Sequence, residues 1–363
     1  MKRNRWLAIA TVFVILAILV YIQVRTLQRF QWSVLAQAFE SISWLHMLLG
    51  LALTYAAYVT RAFRWSVFLR RSHPATPAQM VPAQFIGFTS IAVLGRLGEF
   101  VRPYLIARRQ RVTFTSQLGV LTVERVFDLL AAAGIIAGTL TFSPSVKMLP
   151  YHQEFRRFGY LGILLALALA LIAVAIRIAG PKIGTLARRL FGTISNRVGE
   201  VAQEKVLAFS AGLDSIGSWM DLFLVLLHSF LTWGLIALAY VAIVHGFRLA
   251  ELQAIPSAQT VVLMAASMAG SVLQLPVVGG GSQMATIEVL NKILHVGPEA
   301  ATACGLTLFA VTFLGVVPAG LAFARVEQVS LSNIAKASES EEERLEETSA
   351  VTNGTIEVPI SRP

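Results

Sequence analysis

The sequence predicts an all-α polytopic membrane protein, with six spans plus two re-entrant helical hairpins in an inverted repeat; eight full spans is the alternative. Three observations carry this prediction. The 363 residues are 56% hydrophobic and 14% charged, against about 45–50% and about 25% in soluble domains. Six apolar segments, 7–22, 43–62, 117–142, 158–178, 219–244 and 300–324, read as spans, the length expected being ~20 residues. Two further stretches, 78–111 and 256–296, are apolar but interrupted at their centres.

The first segment follows "MKRNR" and has no small-residue cleavage site after it, so it reads as an uncleaved span. With the N-terminus inside, the chain ends in the cytoplasm as well. Lysine plus arginine then number 22 on the cytoplasmic side and 7 on the outer side, as the positive-inside rule requires. Trp6, Trp44, Trp65 and Trp219 fall near the proposed interfaces. The expected location is the cell membrane, a bacterial inner membrane. A net charge of +10 would suit nucleic acid, but most of the basic residues sit in loops where topology accounts for them, so no nucleic-acid partner is expected. The lone Cys304 excludes an intramolecular disulfide.

The two interrupted stretches need a separate account. "FIGFTSIAVLGRLGEFVRPYLIARRQR" (85–111) is uncharged to Leu94, too short to cross, and then meets glycines, arginines and a glutamate. "SVLQLPVVGGGSQMATIEVL" (271–290) breaks over Leu275–Gln283, at Pro276 and three glycines. Unpaired backbone groups cost several kcal/mol each in lipid, so such breaks survive only against protein or a wet cavity. Each stretch therefore reads as two half-helices. Residues 7–142 and 158–324 then both run span, span, hairpin, span; with three crossings each, the second half is inverted, a recurring transporter plan. This gives one membrane domain over 1–325. Within it, 180–218 reads as a basic amphipathic stretch on anionic lipid of the cytoplasmic face. The acidic segment 330–363 reads as a disordered cytoplasmic tail.

The breaks hold the chemistry. Arg96, Glu99 and Arg102 are spaced by three, which on a helix stacks them on one face. Arginine suits bidentate phosphate binding, so a pocket for a lipid headgroup phosphate is expected; the competing reading is an ion network satisfied internally. Arg108, Arg109 and Arg111 read as topology determinants. In the third span, Arg125 and Asp128 are spaced to pair, while Glu124 and Asp128 repel at i,i+4. The surplus carboxylate then requires a cation, and the first hairpin is the obvious donor. Gly134 and Gly138 form a GxxxG suited to close helix approach. In the second hairpin, Gly279, Gly280 and Gly281 permit close backbone approach, and Gln283 supplies a polar group. The six histidines are scattered and there is no HExxH or CxxC. No metal, cofactor or catalytic constellation is expected.

"GRLGEFVRPYLIARRQRVTFTSQLGVLTVERVFDLL" (95–130) resembles the signature of the flippase-like family that includes the membrane domain of lysylphosphatidylglycerol synthase. Arg96, Gly98, Glu99, Arg102, Glu124, Arg125 and Asp128 match its pattern, and "LQLPVVGGGSQ" is similar to its Pro-x-x-Gly-Gly element; the likeness extends over about 7–325. It implies the movement or handling of a polar lipid between leaflets: a phospholipid, a polyprenyl-linked lipid or a hopanoid-type lipid. The soluble aminoacyl-transferase domain of bifunctional members is absent from this sequence, so aminoacylation is not implied. The expected function is a lipid flippase or transporter. An integral membrane enzyme acting on a lipid-linked substrate, or a non-transporting subunit of a lipid-synthesis complex, are the alternatives.

Overall fold

The computed structural model describes residues 31–71, 73–214, 216–271 and 280–329, together with 337 and 340. The proposed span 7–22, the stretch 272–279 within the second break, and the rest of the acidic tail lie outside these residues. The described chain is helical, with one isolated antiparallel bridge, Ile42 with Phe247. Among the described residues, four helices are long and apolar enough to cross a membrane: Pro77–Leu94, His152–Gly192, Trp219–Val244 and Pro298–Val326.

In order, α1 is Trp32–Glu40, α2 Trp44–Leu69, α3 Pro77–Leu94 and α4 Val101–Gln110; α5 is Phe114–Phe142, α6 His152–Gly192, α7 Asn196–Asp214 and α8 Trp219–Val244. After the single turn α9 (Ala250–Gln253) come α10 (Ser257–Ser271) and α11 (Gly281–Glu288). The last rod is α12 (Pro298–Phe309), a π-helical turn at Ala310–Leu314, and α13 (Val316–Val326).

The antiparallel pair α2–α8 runs through the middle and is fastened at both ends. At one end the Ser43 amide donates to the Gly246 carbonyl (2.7 Å), and the Arg248 amide donates to that of Ser41 (3.1 Å). At the other, Arg70 pairs with Asp221 at 2.7 Å. Asp221 also closes the capping box with Ser218 that starts α8. Between these ends Gly50 lets α2 approach Ile243.

Thr76 and Gln79 form the capping box that starts α3, with Pro77 in the first turn. The helix stops at Gly95, whose φ of +66° is open to glycine and costly to other residues. A 3-10 turn, Gly95–Glu99, then carries the chain into α4. The chain folds back on itself here: Gly98 lies against the Ser90 carbonyl and Gly87 against the Arg102 side chain. On its other face α3 receives α13, where Gly320 packs on Phe85 and Thr89 donates to the Val316 carbonyl at 3.2 Å. The second break has a similar local form, with Gly270 of α10 lying against the Gly281 carbonyl of α11.

Two expectations change. Gly138 meets nothing within 4 Å, and Gly134 touches only the Phe230 ring. Close approach to α5 is supplied instead by Gly159 and Gly162 of α6, which seat against Thr141 and Ala137. Ala137 and Thr141, one turn apart, take the contacts with α6, while Gly134 lies under the Phe230 ring of α8. The stretch 180–218 is not one surface helix. Helix α6 continues through a kink at Ala179, just before Pro181, where proline removes a backbone hydrogen bond. The chain then turns at 193–195 and returns as α7, with Gly199 on the Arg188 carbonyl and Gly212 on that of Gly119.

A Cβ on Gly98 would overlap the Ser90 carbonyl, so Gly98→Ala is expected to lower stability by about 1–3 kcal/mol. Gly138→Ala, placed in open space, should leave it unchanged or slightly raised. Thermal unfolding of the detergent-solubilised protein checks both.

Candidate functional site: a buried ion cluster beside a central cavity

Helix α5 presents Glu124 and Asp128 one turn apart on a buried face. Facing them from α2 are Arg61 and Arg64, also one turn apart and buried. Arg64 is 0% exposed and bridges both carboxylates, with Nη2 donating to Glu124 Oε1 (2.6 Å) and Nη1 to Asp128 Oδ1 (2.7 Å). Its Nη1 also donates to the Ser229 hydroxyl of α8. Arg61 Nη1 donates to Asp128 Oδ2 at 2.6 Å and lies 3.6 Å from Glu124. From α4, Arg102 donates to Glu124 Oε2 at 2.5 Å and to Gln84 Oε1 of α3 at 2.9 Å.

Aromatic rings line the guanidiniums. Arg102 lies 4.5 Å from the Trp65 centroid, and Phe88 is 5.1 Å from both Arg102 and Arg61. The Trp65 indole donates in turn to Gln117 Oε1 at 3.1 Å. Burying the ring faces against cations adds attraction that is strengthened by desolvation. Three arginines against two carboxylates leave one positive charge in excess.

Arg61 stands between this cluster and a cavity of about 860 Å³. The first break contributes Gly95 and Glu99 to the wall, and the second Gly280, Gly281, Ser282 and Gln283. Arg125 lines it as well, paired with Glu99 at 2.5 Å, both about 40% exposed. Tyr58, Phe88, Trp233, Phe309 and Phe313 supply aromatic surface. The π-helical turn at Ala310–Leu314 borders the same space, as such turns do at many functional sites. The mixture of broad apolar walls and few convergent polar groups is that of a ligand cavity, and its volume is within the usual ~300–1,000 Å³.

The sequence expectations sort clearly. Glu124 does draw its counter-charge from the first break, through Arg102. Asp128 pairs with Arg61 and Arg64, whereas Arg125 turns to Glu99, so the expected Arg125–Asp128 pair gives way to two cross-helix pairs. Glu99 and Arg102 engage different partners on α5, Glu99 taking Arg125 and Arg102 taking Glu124. Arg102 is only 3% exposed and is shared between Glu124 and Gln84, which is the internally satisfied arrangement. The backbone of Arg96 belongs to the 3-10 turn; its side chain, like Gly279, lies outside the described structure. Arg109 pairs with Glu327 beyond α13.

Sequence reading does not single out Arg61 and Arg64, which fall at and just beyond the end of the proposed span 43–62. The signal was available: "RAFRWSVFL" keeps an apolar, aromatic helical pattern through both arginines, placing them inside α2. Removing one member of a buried ion group leaves an uncompensated charge and costs about 3–5 kcal/mol. Glu124→Gln is therefore expected to produce a large drop in melting temperature, and adding Arg102→Met should recover part of it; thermal unfolding of the two single variants and the double variant measures that coupling.

Neither the curated proteins nor the solved structures compared with the chain gave a match. The family model described as the lysylphosphatidylglycerol synthase TM region matches residues 6–320. With its several long apolar helices, and with this match spanning most of its length, the chain is a multi-pass membrane protein that belongs to the lysylphosphatidylglycerol synthase TM-region family.

Proposed function

We propose that the protein carries a phosphate-bearing polar lipid between leaflets, taking the headgroup into the central cavity while the acyl chains stay in the bilayer. In this reading the pairs α3–α4 and α10–α11 are re-entrant hairpins, entering from the cytoplasm and from outside, and the two halves of the chain form an inverted repeat. The family's name ties its members to a lipid. The observation that carries the proposal is the meeting of both helix breaks on one cavity beside an ion cluster with one positive charge in excess.

The excess charge selects the ligand class. A desolvated guanidinium at a cavity wall attracts an anion far more strongly than one in water, and a phosphodiester carries the single negative charge that balances the cluster. Arg61 takes the role that the sequence had suggested for Arg96 and Arg102. It lines the cavity, and its Nη2 and Nε have no hydrogen bond among the described residues. The half-exposed Glu99–Arg125 pair supplies both signs of charge for the polar remainder of a headgroup. The α6–α7 arm, with Lys182, Arg188, Arg189 and Arg197, would rest on anionic lipid of the cytoplasmic leaflet.

An enzyme reading is weaker on the same geometry. Glu124 and Asp128 are both held as ion-paired carboxylates by arginines, so neither is free for acid–base work.

In proteoliposomes carrying a fluorescent phospholipid, leaflet transfer read by quenching of the outer leaflet should fall at least about tenfold for Arg61→Gln, the loss of one charge-assisted contact. It should fall also for Glu99→Gln. Transfer at the unmodified rate by both variants, with both folded, would overturn the proposal.

A further inference from the structure

Away from the central cavity, one arginine on an outer helix keeps a buried donor without a hydrogen bond among the described residues. Helix α6 exposes a run of large apolar side chains, among them Phe158, Leu161, Leu165, Leu171, Ile172 and Ile178. From Phe158 to Ile178 the helix rises about 30 Å, the thickness of a hydrocarbon core. Arg177 lies at the end of this run, where a bilayer spanned by it would place its headgroups. The Trp219 ring, at the start of α8 and largely exposed, is 5.6 Å from its guanidinium, the placement expected of an interfacial tryptophan.

Arg177 Nη1 is buried and has no hydrogen-bond partner among the described residues. The carboxylate in the first turn of α8, Asp221, is occupied by Arg70. A buried unpaired donor is costly, and a charged one more so. Arg177 also lines an apolar crevice of about 60 Å³ between α5, α6, α7 and α8, walled by Leu130, Leu169, Ala170, Leu213, Leu222 and Leu226. A cation above a greasy slot, at headgroup height, is complementary to one kind of occupant: an anionic head joined to a hydrocarbon chain.

We infer that this crevice is a lateral binding site for a phospholipid, with its phosphodiester on Arg177 and the upper part of one acyl chain against Ala170, Leu222 and Leu226. The phosphate oxygens satisfy the orphaned guanidinium donor, and the Trp219 ring covers the guanidinium face. The site is separate from the central cavity and shares none of its lining residues. It stands whether or not the cavity carries lipid.

The test is native mass spectrometry of the full chain released from detergent and titrated with phosphatidylglycerol. Arg177→Gln should weaken one lipid-binding event about tenfold, the loss of a charge-assisted contact. Ala170→Leu fills the crevice without touching a charge and should weaken the same event. Arg61→Gln, in the central cavity, should leave it intact. If Arg177→Gln fails to fold, as read by gel filtration, Ala170→Leu alone decides. Unchanged affinity and stoichiometry in the folded variants would overturn the inference. So would displacement of the lipid by inorganic phosphate at equal concentration, which would mean that only an ion is bound there.

Discussion

Three guanidiniums and two carboxylates shut away from water set the terms for the rest of the molecule. Each of these ions alone would cost several kcal/mol to bury. Together they are tolerable only while α2, α4 and α5 hold their members within hydrogen-bond reach, with Ser229 of α8 and Gln84 of α3 completing the shell. The cluster is thus a constraint on five helices at once. It places the first break beside the paired helices α2 and α8, and so decides where the cavity forms.

The same constraint makes the two breaks chemically unlike despite their similar folding-back. The first carries Glu99 and Arg102 and is joined to ions on α2 and α5. The second offers backbone and the uncharged groups of Ser282 and Gln283. An anion between them would meet Arg61 of α2 and the Glu99–Arg125 pair on one side and adaptable dipoles on the other. In the proposed reading, where a headgroup is held and then released, that difference matters, since a charged partner on both sides would bind too tightly to let go.

Much of this was legible in the sequence where the signal was local. Composition and apolar runs gave a helical membrane protein, Gly95 and Gly98 marked the first break, and the i,i+4 repulsion of Glu124 and Asp128 required a cation from elsewhere. What could not be read depended on helix rotation and on contacts far apart in the chain. Arg125 sits three residues from Asp128 yet turns to Glu99, because the face of α5 that meets the 3-10 turn differs from the face that meets α2. Arg61 and Arg64 were hidden by a rule that is sound on average: arginines after an apolar run usually mark its end, whereas here the helix continues for another turn and a half beyond Arg64, to Leu69. The GxxxG on α5 failed similarly, since spacing alone does not say which neighbour a face will find.

The α2–α8 pair has a mechanical meaning. Two antiparallel rods clasped at both tips, by main-chain bonds near Ser43 and Gly246 and by Arg70 with Asp221 at the opposite tip, cannot slide along one another without undoing a clasp. They serve as a keel. In the proposed transport reading, opening and closing of the chamber falls to the elements hung on it, α3–α4 and α10–α11, moving against this spine.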